Sequence, residues 1–153
     1  MDLISNTAMN VTKLALDGLM ARQSAIASNT ANVETPDYQR KEVVFEDQLK
    51  EIISRENKKN EIKALNCAKF EPTSLSQIRP SQADLMLLKT DSYAAYAPQT
   101  VTDTRMVNPY NRNNVNIEKE MMDMAKTGTQ FQALSTLEAR MMSQLRDVIS
   151  GGN

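Results

Sequence analysis

The pattern of apolar positions predicts a long helix at the start of the chain. Between residues 5 and 33, apolar side chains recur at steps of three and four, which places them on one side of an α-helix. No Pro interrupts this stretch, and Gly18 is its only Gly. The main stripe consists of Met9, Thr12, Leu16, Leu19, Ile26 and Val33. We expect an amphipathic helix over this stretch.

A second stripe of mostly small residues lies beside the first. It consists of Val11, Leu14, Gly18, Ala21 and Ala25. Small side chains let a neighbouring helix axis come closer than a Leu-rich face does, so this helix suits tight packing on more than one side.

The end of the first helix is marked by its chemistry. Asn29 and Asn32 favour a C-terminal turn, and Thr35 precedes Pro36, which disfavours helical geometry at Thr35. The helix is therefore predicted to stop within two residues of Asn32.

The same spacing predicts a second long helix at the end of the chain, over residues 117–149. Asn114 or Asn116 can cap its start, and Glu118 and Glu120 lie in the first turn, against the positive end of the helix dipole. The Gly pair at 151–152 is a natural stop. The stripe contains Ile117, Met121, Met124, Gly128, Phe131, Leu134, Leu137, Met141, Leu145 and Val148.

The middle of the chain has a different character. Residues 40–69 are rich in charge. KEVVF (41–45) favours a short strand and EDQLKEII (46–53) a helical turn. RENKKNEIK (55–63) favours a solvent-facing or mobile loop. Four Pro residues exclude a long helix from residues 70–115. Within that segment we expect a short buried turn at 85–88 and a strand at 100–107.

These elements predict a mainly α fold with an irregular middle segment that carries little β structure. The long N- and C-terminal helices are expected to pair as an antiparallel, coiled-coil-like hairpin. Residues 1–39 and 116–153 then form one structural unit, and residues 40–115 the middle segment. Two helices bury only one side of each other, so the remaining apolar faces predict neighbouring subunits.

The residues expected to form the seams between helices come from the two stripes of the first helix and from the stripe of the last helix. They are Val11, Leu16, Leu19, Ile26, Ile117, Met121, Met124, Phe131, Leu134, Leu137, Met141, Leu145 and Val148.

Composition argues against several functions. The apolar content is Leu, Ile, Val, Ala and 10 Met with few aromatics, which favours helix packing. A net charge of −1 gives no electrostatic drive towards nucleic acid or anionic lipid. Cys67 is the only Cys, and there is no His, so we expect no metal site, no cofactor and no catalytic thiol. The carboxylates accompany no phosphate loop or nucleophile, which disfavours an enzyme.

Targeting signals are missing from the sequence as given. The first ten residues lack the basic and apolar regions of a cleaved signal peptide, and no apolar run is long enough to span a membrane. Export, if it occurs, is expected to use another route.

One motif carries a specific resemblance. Residues 28–38, SNTANVETPDY, resemble the Ser-Asn-x-Ala-Asn-x-x-Thr-Pro-Gly-Tyr signature of flagellar rod and hook axial proteins. Residues 113–134, NNVNIEKEMMDMAKTGTQFQAL, resemble the C-terminal pattern of proximal rod members of that family. The matching and substituted positions are Asn29, Asn32, Thr35, Pro36, Asp37, Tyr38 and Asn114.

The sequence departs from the family pattern at three positions. Asp37 replaces Gly, so the turn is either strained at a positive φ or of type I. Asn116 replaces an Asp and keeps the capping oxygen without its charge. Phe131 replaces a Tyr and loses a hydroxyl.

The resemblance implies a structural subunit of the flagellar rod in the basal body, exported into the periplasm by the flagellar type III apparatus without a cleaved signal. It implies contacts with copies of itself, with other rod proteins, with the membrane (MS) ring and with an export-gate adaptor. The C-terminal pattern resembles one type of proximal rod subunit in particular. Two alternatives remain open: another type of proximal rod subunit, and a soluble helical adaptor or chaperone.

Overall fold

The computed structural model describes residues 6–67, 81–104 and 110–151. Four helices and two short strands follow one another along the described chain: α1 (Asn6–Ala31), β1 (Lys41–Val44), α2 (Glu46–Cys67), α3 (Gln82–Lys89), β2 (Gln99–Thr102) and α4 (Ile117–Ser150). The predicted mainly helical fold with long terminal helices is confirmed. The chain forms two compact units, one made of residues 1–47 and 97–153 and the other of residues 48–96.

The first unit is organised around α1, which packs against both α4 and β1. Strands β1 and β2 pair antiparallel, with Val43 opposite Thr100. The strand predicted from KEVVF is thereby confirmed. Leu19 and Ile26 of α1 and Val43 of β1 are buried, with exposed fractions of 3%, 3% and 1%. The apolar core of this unit therefore draws on the main stripe of α1 and on β1.

Helix α1 ends close to its predicted stop. Its last residue is Ala31, and a run of turns follows in which the Asn32 and Thr35 amides donate to carbonyls three residues earlier. Of the small-residue stripe on α1, Gly18 and Ala25 are buried. Part of that stripe is therefore covered within the unit.

Helix α4 begins and ends with caps. Asn116 is the N-cap, and its side-chain oxygen accepts hydrogen bonds from the amides of Glu118 and Lys119 at 2.9 and 3.2 Å. Of the two candidate caps, the structure thus selects Asn116. At the other end, α4 stops at Ser150, where the Gly pair predicted its end, and Gly151 is the C-cap, with its amide donating to the carbonyl of Asp147 at 2.8 Å.

The second unit contains most of α2, and here the expectation of a mobile loop over residues 55–63 is wrong. Helix α2 runs without a break through the charge run. The reason is a face at helical spacing that is buried despite its charges. Lys59 donates to Glu56 Oε1 at 2.9 Å and to the carbonyl of Thr90 at 2.5 Å. The buried face consists of Leu49, Ile52, Glu56, Lys59 and Ile62.

Two further expectations for the middle segment need correction. Residues 85–88 are not a buried turn, because they belong to α3, where Leu85 and Met86 are exposed. The predicted strand over residues 100–107 is shorter and earlier than expected, as β2 ends at Thr102 and residues 105–107 lie outside the described residues. All four residues of β2 are exposed. Across the described ranges, none of the helices is both long and apolar enough to cross a bilayer.

Candidate functional site

The family-like motif begins with Asn29, whose side chain is completely buried near the end of α1. Its amide nitrogen donates to the carbonyl of Lys41 at 2.8 Å and to Glu120 Oε2 at 3.0 Å. Its oxygen accepts the Lys41 amide at 2.8 Å and the Tyr38 hydroxyl at 3.2 Å. Asn29 thus uses both donors and both acceptor positions, and it joins α1 to β1 and α4.

Arg40 and Glu120 form a buried ion pair next to Asn29. Arg40 Nε donates to Glu120 Oε1 at 2.6 Å, and the exposed fractions of the two side chains are 7% and 0%. The other guanidinium nitrogens reach Glu42 at 2.9 Å and Asp123 at 3.1 Å. We call Asn29, Arg40, Glu120 and Asp123 the clasp.

The electrostatics of the clasp keep Arg40 charged. Burial by itself lowers the pKa of Arg40, but the hydrogen bond and negative charge of Glu120, helped by Glu42, raise the pKa above its ordinary value. A buried charge is tolerated only when it is paired and hydrogen-bonded. Each charge of the Arg40–Glu120 pair therefore depends on the other.

Asn113 ties the chain ahead of α4 to the turn that follows α1. Its side-chain nitrogen donates to the carbonyls of Asn32, Val33 and Thr35 at 2.8, 2.9 and 2.9 Å. Its oxygen accepts the amide of Val115 at 2.8 Å. The two N–H groups of this buried side chain therefore serve three carbonyls in the turn, with one hydrogen shared between two of them.

Asn114, the next residue, connects to the strands rather than capping α4. Its oxygen accepts the Arg40 amide at 2.6 Å, and its nitrogen donates to the carbonyl of Asp103. The Asp103 amide in turn donates to the carbonyl of Arg40 at 2.8 Å. Asn114 thus extends the β1–β2 pairing by one position and holds it near the start of α4.

The backbone of the turn after α1 decides between a positive φ at Asp37 and a type I turn. Asp37 has a φ of 60°, and its amide donates to the carbonyl of Asn111 at 2.8 Å. The turn therefore requires the left-handed region, where Asp is among the better tolerated non-Gly residues. Tyr38 returns to its own α1, with its hydroxyl 3.1 Å from Ser28 Oγ. Pro36 and Thr35 are exposed at the tip of the turn.

The predicted seam residues fall into three groups by exposure. Leu19, Ile26 and Met141 are buried. Val11, Leu16, Phe131, Leu134 and Leu145 are half-buried. Ile117, Met121, Met124, Leu137 and Val148 are exposed. The fold of a single chain therefore covers some of the predicted seam and leaves the rest in solvent.

One face of α4 is exposed and apolar at helical spacing. Ile117, Met121 and Met124 are exposed to 39%, 64% and 37%, and Gly128 continues their spacing. A Cβ added at Gly128 would meet nothing within 4 Å. Gly in a helix interior costs about 1 kcal/mol relative to Ala, and no contact of the described chain requires it here. We call these four residues the outer stripe.

Sequence reasoning missed three members of the clasp, because it assigned no role to Arg40 or Asp123 and a different one to Glu120. Glu120 is assigned from the sequence to a dipole interaction in the first turn. A signal for Glu120 exists, because Glu120, Thr127, Leu134 and Met141 recur every seven residues on α4. Glu120, Thr127 and Met141 are buried. A charge at a position of that repeat indicates a buried partner.

A groove of about 320 Å³ lies between α1, β1 and α4. It is lined by apolar residues such as Ile26 and Val43 and by charged residues that include Arg22 and Asp123. Arg22 pairs with Glu46 at 2.5 Å, and Asp123 pairs with Arg40. Among the described residues, no three His, Cys, Asp or Glu side chains gather in a way that would hold a metal ion.

Comparison with known proteins gives a consistent family. No family model matches the chain. Curated relatives are named Flagellar basal body rod protein FlgB: that of Borrelia hermsii is 30% identical over 134 residues, covering 88% of this chain and 89% of the relative. That of Bacillus subtilis is 28% identical over 152 residues, with 99% of each chain covered, and that of Escherichia coli K12 is 24% identical over 149 residues, with 97% and 96% covered. The chain therefore belongs to the FlgB family of flagellar basal body rod proteins.

Proposed function

We propose that this chain is a structural subunit of the proximal rod of the bacterial flagellum. Through its terminal helices it assembles with other subunits into the shaft that carries torque from the membrane ring to the hook. It performs no catalysis. The names of the relatives support the assignment to the flagellar rod. The exposed apolar residues of α4 support assembly through the helices.

The outer stripe is the observation that carries this proposal. Burying an exposed apolar side chain contributes about 1.5–3 kcal/mol when the burial is complete. Ile117, Met121 and Met124 have much of that gain still available, because the fold of the single chain leaves them exposed. Gly128 leaves room for another backbone to approach α4 closely. A neighbouring helix would bury the three side chains and use that room.

The terminal helices form an antiparallel, coiled-coil-like hairpin in this proposal. The Asn29–Glu120 hydrogen bond supports it, because it joins the C-terminal part of α1 to the N-terminal part of α4. Residues 1–39 and 116–153 act as one assembly unit, and residues 40–115 form the middle segment. The clasp fixes the register of the hairpin, since a shift would separate Arg40 from Glu120 and leave both charges buried without a partner.

The predicted seam then divides into two parts with different roles. The buried residues Leu19, Ile26 and Met141 hold the helices of one subunit together. The exposed group, Ile117, Met121, Met124, Leu137 and Val148, contacts other subunits.

The partners follow from the place of the subunit in the basal body. They are copies of the same chain, other rod proteins, the membrane (MS) ring and the export-gate adaptor, with transient contact to the flagellar type III export apparatus. The subunit reaches the periplasmic rod by that route without a cleaved signal peptide. The family assignment supports assembly with other flagellar components.

A substitution in the outer stripe tests the proposal. In the bacterium that encodes this chain, the gene is deleted and replaced by a Met121→Asp version. Met86→Asp in α3 is the matched control, because Met86 and Met121 are both exposed to 64%. We expect Met121→Asp to abolish basal bodies and motility while its circular dichroism spectrum stays unchanged, and Met86→Asp to retain both. Normal basal bodies with Met121→Asp would contradict the proposed assembly surface.

A further inference from the structure

The methionines differ sharply in their access to solvent. Met121, in the outer stripe, is exposed to 64%, and Met86, in α3, is exposed to the same fraction. Met141, on the buried side of α4, is exposed to only 9%. The same thioether chemistry is thus present on an assembly surface, on an unrelated surface and in the core.

Exposed thioethers react with peroxides by oxygen transfer. A lone pair of the Met sulfur attacks one oxygen of hydrogen peroxide, the O–O bond breaks, and the second oxygen leaves as water after proton transfer. The sulfur is oxidised to the sulfoxide and the peroxide is reduced. The product is a polar, chiral side chain in place of a flexible apolar one.

We propose that Met121 is a peroxide-sensitive modification site whose oxidation prevents the free subunit from joining the rod. This inference rests on the proposed function, because it assigns the outer stripe to a subunit interface. Oxidation acts before assembly, when the side chain is accessible, and a neighbouring subunit later covers it.

The effect of oxidation on assembly should exceed its effect on folding. The Met121 side chain lies mostly in water, so a sulfoxide there keeps its hydration and leaves the packing of the subunit unchanged. In an interface, the sulfoxide oxygen would lose its water without gaining a matched donor, which makes burial unfavourable. An oxidised subunit therefore stays folded and fails to add.

Mass spectrometry of peptides from the purified chain gives the first test. During a timed exposure to hydrogen peroxide, we expect Met121 and Met86 to form sulfoxide at similar rates, at least several-fold faster than Met141. Equal rates at Met121 and Met141 would overturn the assignment of Met121 as a site that reacts because it is exposed, as its neighbour Met122, exposed to 66%, also is.

The second test follows the sulfoxide into the rod. The strain lacks methionine sulfoxide reductases, and expression of another rod gene is repressed so that the unassembled subunit accumulates. A peroxide pulse is given and removed, and expression of the repressed gene is then induced so that assembly can proceed. We expect Met121 sulfoxide to be depleted several-fold in isolated basal bodies relative to the unassembled pool, with Met86 sulfoxide equal in both. Equal amounts of Met121 sulfoxide in the two fractions would refute the proposal.

Unoxidised variants separate this inference from the proposed function. Met121→Gln imitates the polarity of the sulfoxide, and Met121→Leu removes the sulfur but stays apolar. We expect the Met121→Gln variant to form several-fold fewer basal bodies even without peroxide. The Met121→Leu variant should form a normal number of basal bodies, and its assembly should be insensitive to the peroxide pulse. If Met121→Asp blocks assembly but Met121→Leu remains as peroxide-sensitive as the natural chain, the oxidation inference alone fails. If Met121→Asp assembles normally, the proposed function fails with it.

Discussion

Asn29 Nδ2 lies 3.0 Å from Glu120 Oε2, although the two residues are 91 positions apart in the sequence. Both side chains are fully buried. The contact joins the motif at the end of α1 to the first turn of α4. Arg40, which lies between α1 and β1 in the sequence, pairs with the other oxygen of Glu120. The family-like motif is thus the hydrogen-bonded centre of the first unit, in addition to marking a helix end.

Replacing Glu120 by Ala should strongly destabilise the chain. The change leaves Arg40 buried without its main partner and removes an acceptor from Asn29, and breaking a buried pair in this way costs about 3–5 kcal/mol. Urea unfolding followed by circular dichroism measures the loss. Glu118→Ala is the matched control, because Glu118 lies in the same helical turn but is exposed, and it should cost less than about 1 kcal/mol. Similar losses for the two variants would show that the clasp adds nothing beyond the dipole interaction.

Replacing both charges of the pair should cost less than replacing one. In Arg40→Met combined with Glu120→Leu, neither charge is left unpaired, so the double variant should be more stable than Glu120→Leu alone. Unfolding free energies of Arg40→Met, Glu120→Leu and the double variant complete the cycle. Strict additivity would mean that Arg40 and Glu120 do not depend on each other.

Asp37→Gly should be neutral or stabilising by up to about 1 kcal/mol, because Gly adopts the left-handed region without a steric penalty. The φ of 60° at Asp37 is the reason. Thermal or urea unfolding measures the change. Asp37→Val is the opposing control, since a β-branched residue is strained at positive φ and should destabilise. A clear loss of stability in the Gly variant would mean that the Asp37 side chain contributes more than its backbone strain costs.

Gly128→Ala should separate folding from assembly. A Cβ at this position meets nothing within 4 Å, so the unfolding free energy of the isolated chain should rise by about 1 kcal/mol through helix propensity. Assembly should weaken, and Gly128→Leu should weaken it further, because each larger side chain holds the neighbouring backbone farther away. Basal body counts in the deletion strain provide the measurement. Full assembly of the Leu variant would remove Gly128 from the interface.

The Arg22–Glu46 pair predicts a dependence of stability on acid. Burial raises the pKa of Glu46, but the hydrogen bond from Arg22 and backbone hydrogen bonds outweigh it, and the pKa lies below its usual value of about 4.5. Because the folded-state pKa is the lower one, Glu46 contributes stability above about pH 4.5, and this contribution is lost as the pH falls through the folded-state pKa.

Comparing Glu46→Gln with the natural chain across pH tests this sign. The urea midpoint of the variant should be lower at pH 6, and the gap should close as the pH falls through the folded-state pKa of Glu46, below which the carboxyl is protonated in both states. A gap that stays constant with pH would show that the loss comes from packing rather than from charge.

Local sequence patterns determined both long helices and their limits. Apolar spacing located α1 and α4, and β-prone residues located β1. The sequence offered Asn114 or Asn116 as the cap of α4 and the Gly after Ser150 as its stop, and the structure selected Asn116 as the cap. These features depend on neighbours within a few positions, which is why they can be read from the chain. The motif at residues 28–38 also indicated the family, which the relatives confirm.

The sequence was less informative about α2. The charges of residues 55–63 suggested a loop because charged residues usually face water. Only the structure shows Glu56 and Lys59 paired with each other and buried on one face of a continuous helix. Whether a charged residue is solvated or paired depends on what the fold places opposite it.

The clasp was decided by tertiary structure alone. The seven-residue repeat that contains Glu120 indicates a buried partner, but nothing in the sequence identifies that partner as Arg40, which lies 80 positions away. The helix dipole gives a sufficient local explanation for Glu120, and it conceals the buried role. Local propensity determined where the helices of this protein begin and end, whereas long-range hydrogen bonding and charge pairing, available only once the chain has folded, decided how α1, β1 and α4 are held together.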